Sequence, residues 1–255
     1  MPPKPKRLRL DLALVERGLA PTRSRAQSLI MAGRVLVSGS CVDKPGATVA
    51  GDDELRVDQP EHPWVGRGGI KLAEALERFG IDPAGRVCAD VGASTGGFTD
   101  VLLQRGAACV YAIDVGYGQL DQKLREDPRV IVREKTNARF LEPEHFERRP
   151  DLITIDVSFI SLRLILPPIA RILAPGGDLI ALIKPQFEVG RGEVGKGGIV
   201  RNAEARDRAI REVVAFAAET GFERPVTIES PIRGAEGNLE ALMHARSPAR
   251  RDDRG

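Results

Sequence analysis

The sequence predicts an α/β fold in which a Rossmann-like, mostly parallel sheet has helices on both faces and follows a small α+β domain. From residue 87 onward, short apolar runs alternate with amphipathic stretches, as strands and crossover helices do in such sheets. The first of these runs leads into a glycine-rich turn, the place where this class of sheet binds ligands. The first fifty residues instead indicate two helices followed by short strands.

These patterns divide the chain into four segments. We expect a small domain at 7–58, a linker at 59–67 marked by two prolines and Gly66, a sheet domain at 68–245 and a flexible tail at 246–255. In the small domain, helices are predicted over 10–19 and 24–31, and strands over 34–37 and 54–57. In the sheet domain, strands are predicted over 87–91, 109–114, 130–132, 152–157 and 179–183, and helices over 68–79, 97–105, 162–173 and 203–219.

Composition predicts a protein without a membrane or a metal partner. Of the 255 residues, 42% are hydrophobic and 29% are charged, and no apolar run approaches the ~18 residues that span a bilayer. The chain starts without the apolar stretch of a signal peptide, so we expect a cytoplasmic protein. The three cysteines and three histidines lack the spacing of a zinc site.

Positive charge is concentrated at the N-terminus. Residues 1 to 51 contain nine Lys or Arg against three Asp or Glu, which suggests an anionic partner. Composition alone does not separate this hypothesis from a solvated basic surface. The candidates for phosphate contacts are Arg9, Arg23, Arg25, Arg34 and Lys44.

The turn at 90–100 reads Asp-Val-Gly-Ala-Ser-Thr-Gly-Gly-Phe-Thr-Asp. Its glycines do not have the G-x-G-x-x-G spacing of a dinucleotide site, and a second carboxylate, Asp114, follows the next apolar run. S-adenosylmethionine fits better, because its ribose hydroxyls can bond to a strand-end aspartate and it has no phosphate. The alternative is a turn whose glycines serve only tight packing. The cofactor candidates are Asp90, Gly92, Ser94, Gly96, Gly97, Phe98, Thr99, Asp114 and Asn137, the last of which is equally suited to capping a turn.

Four charged residues stand at predicted strand or helix ends, namely Lys71, Asp156, Lys184 and Glu240. Two positive and two negative groups can share a partly buried site, since each offsets the desolvation of the others. Crowded positive charge can also keep one lysine neutral. Methyl transfer to an alcohol needs a positioned base, and Lys184, at the end of a very apolar run, is our candidate. A salt-bridge cluster that closes the sheet is the alternative.

The N-terminal segment resembles the RNA-binding module named after the fourth small-subunit ribosomal protein. The similarity covers about fifty residues, and its motifs are Arg9-Leu-Asp11, Ser24-Arg-Ala26, Gly33-Arg-Val35 and Lys44-Pro45. The resemblance implies structured RNA as the partner.

The whole chain resembles the TlyA family of ribosomal RNA 2′-O-methyltransferases, which is also named for hemolysins. The similar stretches, over about residues 7 to 243, are Arg67-Gly-Gly-Ile-Lys-Leu72, Asp90 to Asp100, Asp114 to Leu120, Thr136-Asn-Ala-Arg139, Asp156-Val-Ser-Phe159, Lys184-Pro-Gln-Phe187, Gly195 to Arg201 and Gly237-Asn-Leu-Glu240. One departure is Gly66, where the family usually has Ser.

This resemblance implies a class I methyltransferase sheet, S-adenosylmethionine as cofactor, and ribosomal RNA or ribosomal subunits as partners. It also implies the Lys-Asp-Lys-Glu tetrad of FtsJ-like ribose methyltransferases at positions 71, 156, 184 and 240, with the two carboxylates orienting the lysines. A non-enzymatic RNA-binding protein and a membrane-lytic protein are the competing hypotheses. The target nucleotide, the choice of subunit, the oligomeric state and the role of the glycine-rich segment 190–198 stay open.

Overall fold

The computed structural model describes residues 7–20, 22–57, 62–234 and 236–249. The N-terminal domain consists of two helices and five short strands: α1 (Leu10–Glu16), α2 (Arg23–Met31), β1 (Leu8–Arg9), β2 (Val35–Val37), β3 (Ser40–Cys41), β4 (Thr48–Val49) and β5 (Leu55–Val57). Strands β1 and β4 form one antiparallel pair, and β3, β2 and β5 form a second small sheet in that order. The two predicted helices and the two predicted strands are present, but the prediction missed β1, which precedes the helices, and the short strands β3 and β4.

A buried carboxylate organises the surface of this domain. Asp11 is 0% exposed and accepts hydrogen bonds from the guanidinium groups of Arg9 and Arg23 and from the amide of Gln27. The bonds from Arg9 hold the pKa of the Asp11 carboxyl far below its usual range, against the effect of burial. Asp11 therefore fixes two neighbouring arginines whose outer parts remain exposed.

The C-terminal domain is built on a seven-stranded sheet. Its strands are β6 (Val87–Val91), β7 (Cys109–Ile113), β8 (Val130–Arg133), β9 (Leu152–Ile155), β10 (Asp178–Ile183), β11 (Glu223–Glu229) and β12 (Ala241–Arg246). The order across the sheet is β11-β12-β10-β9-β6-β7-β8, and the run from β10 to β8 is parallel throughout. The predicted α/β class with a mostly parallel, Rossmann-like sheet is confirmed.

The predicted flexible tail begins too early. Strand β12 pairs antiparallel with β10 along its whole length, and its last residue, Arg246, lies opposite Asp178. The next backbone N–H, that of Ser247, donates to the carbonyl of Gly177. Residues 246 and 247 are therefore part of the sheet domain, while residues 250–255 of the predicted tail lie outside the described residues.

Helices cover both faces of the sheet. They are α3 (Gly68–Phe79), α4 (Gly97–Gln104), α5 (Gln122–Arg125), α6 (Leu166–Ile172) and α7 (Ala203–Glu219). The single helix predicted over 162–173 is instead a short 3₁₀ turn, Leu162–Leu164, followed by α6. Two prolines at the start of α6 explain the break, because they lack the N–H groups that a continuous helix would need.

Part of the predicted linker packs on the C-terminal domain. The N–H of Val65 donates to the carboxylate of Asp100, 2.8 Å away, and a Cβ on Gly69 would lie 2.7 Å from the ring of Trp64. Residues 64 and 65 therefore belong to the C-terminal domain, whereas residues 58–61 lie outside the described residues. Among the helices that the structure describes, none is long and apolar enough to cross a membrane.

Candidate active site

The parallel strands bring their carboxyl ends to one edge of the sheet, and most of the predicted site residues follow those ends directly. Gly92 follows β6, Asp114 follows β7, Asp156 follows β9 and Lys184 follows β10. Helix α3 places Lys71 in its first turn, facing the same edge, because the helix packs against α4 and β12. Residues separated by more than a hundred positions in the sequence thus share one site.

Glu240 reaches this edge because β12 is antiparallel. It immediately precedes β12, and the first residue of that strand, Ala241, lies opposite Ile183 at the carboxyl end of β10. A parallel strand would have carried Glu240 to the opposite end of the sheet. The reversed direction of β12 is therefore what completes the charged cluster.

The charged cluster consists of two ion pairs around one small pocket. Lys71 Nζ lies 2.5 Å from Oε2 of Glu240, and both side chains are buried. Lys184 Nζ lies 2.7 Å from Oδ1 of Asp156 and 2.8 Å from the hydroxyl oxygen of Ser158. All five residues line a pocket of about 220 Å³, so the structure brings the four predicted catalytic residues together.

Both lysines act on the carboxylate of Asp156. Burial pushes the pKa of the Asp156 carboxyl upward, but the ammonium groups of Lys184 and Lys71 outweigh this effect and hold the pKa below its ordinary value. Asp156 thus carries a negative charge between the two lysines and keeps Lys184 in a fixed position.

A second, larger cleft adjoins this pocket. It measures about 430 Å³ and shares Met31, Gly92, Ser94, Asp156 and Ser158 with the charged pocket. Its walls also include Asp114, Asn137 and several apolar side chains, among them Ile113, Val115, Ile160 and Ile165. A cleft of this size with apolar walls and few polar groups is typical of a small-molecule site.

The Asp114 carboxylate shapes the entrance of this cleft. One oxygen accepts the N–H of Ser94 at 2.8 Å and the other accepts the N–H of Gly116 at 2.7 Å. Each oxygen keeps a free lone pair for a further donor. Asn137 accepts the N–H of Arg139 and so caps the 3₁₀ turn Ala138–Phe140, and it also lines the cleft. The two roles considered for this residue are therefore compatible.

Three of the cofactor candidates do not line either cleft. Asp90 and Thr99 are 0% exposed, and Asp90 accepts both the N–H and the hydroxyl of Thr99, at 2.9 and 2.7 Å. Gly96 faces Leu120 and Leu124. These three residues therefore support the turn from beneath, and a direct contact between any of them and a cofactor stays a prediction.

Packing accounts for the glycines of the turn. A Cβ on Gly92, whose φ is +88°, would lie 2.4 Å from the carbonyl oxygen of Asp156, and one on Gly97 would lie 3.1 Å from the N–H nitrogen of Gly69. The glycines therefore let the turn approach β9 and α3 closely. Gly92, Ser94, Gly97 and Phe98 still line one or both clefts.

Comparison with known proteins decides which family this arrangement belongs to. The sequence model of the FtsJ-like methyltransferase family matches residues 64–247, and that of the S4 domain matches residues 8–55. The 16S/23S rRNA (cytidine-2′-O)-methyltransferase TlyA of Mycobacterium tuberculosis is 48% identical over 243 residues, 95% of this chain and 91% of that protein. This chain belongs to the TlyA family of FtsJ-like methyltransferases.

Two further TlyA-like proteins carry a different name. Hemolysin A of Brachyspira hyodysenteriae is 42% identical over 238 residues, which are 93% of this chain and 99% of that protein. A solved structure from Streptococcus thermophilus that also bears a hemolysin name superimposes with a TM-score of 0.75 and 44% identity, covering 98% of this chain and 93% of that one.

Ser158 and Phe159 are site residues of this TlyA-family chain that the sequence-based prediction missed. The motif Asp156-Val-Ser-Phe159 was visible, but only its aspartate was assigned a role. The hydroxyl of Ser158 contacts Lys184, and Phe159 is 90% exposed at the rim of the larger cleft, with a left-handed φ of +64°. Its ring lies 5.2 Å from that of Phe187, which follows Lys184 by three residues.

The five predicted RNA contacts occupy three kinds of position. Arg9 and Arg23 lie together on Asp11, with outer surfaces that phosphates could reach. Arg25 and Lys44 instead form ion pairs with Asp121 and Glu236 of the C-terminal domain. Arg34, which is half-buried, lies between the turn at 32–33 and the first residue of β2. Among the residues that the structure describes, no cluster of His, Cys, Asp or Glu could hold a metal ion.

Proposed function

We propose that this chain transfers the methyl group of S-adenosylmethionine to a ribose 2′-hydroxyl of ribosomal RNA. The observation that carries the proposal is the pocket in which Lys184 Nζ lies 2.7 Å from Asp156 and faces the Lys71–Glu240 pair. This pocket opens into the larger cleft through five shared residues. An acceptor hydroxyl in the pocket would therefore lie next to a donor in the cleft.

The larger cleft fits S-adenosylmethionine in size and chemistry. Its volume of about 430 Å³ lies in the usual range for ligands of that size. Asp114 would accept the ribose hydroxyls, the turn at Gly92 and Ser94 would border the amino acid part, and the apolar walls near Val115 and Ile160 would enclose the adenine. When bound, the cofactor supplies a methyl group made electrophilic by its sulfonium.

In this proposal Lys184 acts as the base in its neutral amine form, after the ammonium group that pairs with Asp156 has released its proton to solvent. A ribose hydroxyl is a weak nucleophile, and removal of its proton by a positioned base is worth about 10² to 10⁴ in rate. Asp156 and Ser158 hold the nitrogen of Lys184 in place. Lys71, held by Glu240, contributes a fixed positive charge that stabilises the oxygen as it loses its proton.

The N-terminal domain supports RNA as the acceptor. It matches the S4 domain, and it holds Arg9 and Arg23 side by side on Asp11. Two guanidinium groups fixed in this way can bind phosphate oxygens with little further loss of entropy. The name of the Mycobacterium tuberculosis relative supports ribosomal RNA as the substrate class and the 2′-oxygen as the acceptor atom.

The proposal is tested with purified ribosomal subunits and S-adenosylmethionine labelled in its methyl group. Alkali cleaves RNA through the free 2′-hydroxyl, so a label on that oxygen remains in an alkali-resistant dinucleotide. We expect labelled resistant dinucleotides with the wild-type protein and none with Lys184→Ala. Label that appears only in mononucleotides after alkali would place the methyl group on a base and refute the proposal.

A further inference from the structure

Helix α2 of the N-terminal domain contacts the loop that connects β7 to α5. The hydroxyl of Ser24 donates to the carbonyl of Gly118 at 2.8 Å, and the hydroxyl of Ser28 donates to the carbonyl of Gln119 at 3.1 Å. Arg25 forms an ion pair with Asp121. Three side chains of the same helix thus hold three of the four loop residues from 118 to 121.

The same loop forms part of the larger cleft. It begins next to Asp114, and Gln119 lines the cleft. The N–H of Asp121 donates to the carbonyl of Thr95 at 3.1 Å, and the hydroxyl of Ser94 lies 3.4 Å from Oε1 of Gln119. The loop is therefore bonded to α2 on one side and to the glycine turn on the other.

Helix α2 also reaches the clefts directly. Met31, its last residue, is half-buried and lines both the larger cleft and the charged pocket. Two more contacts hold the domains together beyond this helix: Lys44 Nζ lies 2.8 Å from Oε1 of Glu236, and Arg67 lies 3.9 Å from Asp43. The N-terminal domain consequently forms one wall of the site that the C-terminal domain carries.

We propose that α2 is a structural part of the methyl-donor site, and that Arg25 is a positioning residue for donor binding. This inference rests on the proposed function, since it assigns the larger cleft to S-adenosylmethionine. The pair with Asp121 fixes the loop that carries Gln119 and braces the turn at Ser94. Removing the pair leaves the cleft without one of its fixed walls. Donor binding is then weaker, because it must also order the loop.

This role differs from the phosphate contact predicted for Arg25 from the sequence. The side chain of Asp121 is mostly buried, and it also caps α5 by accepting the N–H of Lys123 at 3.1 Å. A guanidinium that is engaged with this carboxylate acts on the loop even when no RNA is bound. Donor affinity measured without RNA therefore isolates the positioning role.

The test is a charge-reversal cycle on the full-length protein, with S-adenosylmethionine binding measured by calorimetry in the absence of RNA. We expect Arg25→Asp and Asp121→Arg each to weaken binding about 5-fold or more, as coupled sites typically do, and the double variant to bind more tightly than either single variant. Arg25→Gln, which removes the charge without placing two carboxylates together, should weaken binding less. The Arg25→Gln variant also keeps the test valid if the charge-reversal variants unfold the N-terminal domain.

The matched control is Arg7→Asp, the same charge change at an exposed position of the same domain, which should bind like the wild type. Single variants that bind like the wild type would overturn the inference, and so would a double variant weaker than both single variants. Wild-type protein that does not bind S-adenosylmethionine would instead contradict the proposed function itself.

Discussion

Lys184 and Asp156 stand at the ends of neighbouring parallel strands, with the lysine nitrogen 2.7 Å from the carboxylate. The register of β9 and β10, in which Ile155 lies opposite Ala181, brings both charged residues to the same edge of the sheet. The Lys71–Glu240 pair faces it from α3 and from the residue that precedes β12. Since each ammonium group has its own carboxylate, the four charges balance within a partly buried pocket.

Asp114 provides a direct test of the donor cleft. Its carboxylate holds the N–H groups of Ser94 and Gly116 and has lone pairs left for ribose hydroxyls. Hydrogen bonds to a charged group contribute about 1.5 to 3 kcal/mol, so Asp114→Ala should weaken S-adenosylmethionine binding about 10-fold or more in calorimetry. Asp127→Ala, which removes a carboxylate that pairs with Arg129 away from both clefts, should bind normally. Equal affinity of both variants would contradict the assignment.

Arg23 should contribute to RNA affinity through counterion release. Each phosphate that a protein neutralises adds about 0.7 to 0.9 to the slope of log affinity against log salt. Arg23→Gln should therefore lower the measured slope for ribosomal RNA by about that amount, while Arg9 and Gln27 still bond to Asp11. Arg78→Gln is the control, since Arg78 is exposed and pairs with Glu74 near the end of α3. An unchanged slope for Arg23→Gln would exclude a phosphate contact.

Asp90 should make stability depend on pH. Burial raises the pKa of the Asp90 carboxyl to about 7, although the bonds from Thr99 oppose the shift. The folded state therefore holds a proton that the unfolded chain has already lost, so this contribution is complete below about pH 4 and is lost as the pH rises to about 7, at no more than about 1.4 kcal/mol per unit.

Urea unfolding at several pH values checks this prediction. Between pH 4 and 7, the wild type should lose free energy of unfolding relative to Asp90→Asn, since the amide of the variant does not titrate. Asp156→Asn should show the opposite trend, and at lower pH. Because the fold lowers the pKa of Asp156, the wild type loses stability relative to this variant only as the pH falls below about 4. A constant difference between wild type and Asp90→Asn would show that Asp90 is charged in the fold.

The sequence was sufficient for the parallel part of the sheet and for the four charged residues at its edge. Apolar runs that end in Asp156 and Lys184 are strong signals, because a buried strand seldom ends in an unpaired charge. The hairpin of β11 and β12 was missed, since β11 is mostly exposed and contains charges and a proline, as edge strands often do. Without β12, the reason why Glu240 joins the site was not visible.

The sequence could not show which surfaces touch. Arg25 and Lys44 have the same chemistry as Arg9 and Arg23, and only the docking of the two domains separates them into ion pairs with Asp121 and Glu236. The sequence also did not show what the glycine turn packs against. Its spacing predicted a ligand-binding turn, but the atoms that would collide with a Cβ at Gly92 belong to the protein itself.

The most direct test of the account is the single-turnover rate of RNA methylation by Lys184→Arg, measured with saturating S-adenosylmethionine and ribosomal subunits. An arginine keeps the positive charge near Asp156 but does not give up its proton. We predict that the rate falls by a factor of about 10² to 10⁴ with donor affinity little changed, whereas Lys123→Arg, whose pair with Asp100 lies outside both clefts, methylates normally. A near-normal rate for Lys184→Arg would contradict the central claim and leave the residue an electrostatic role only.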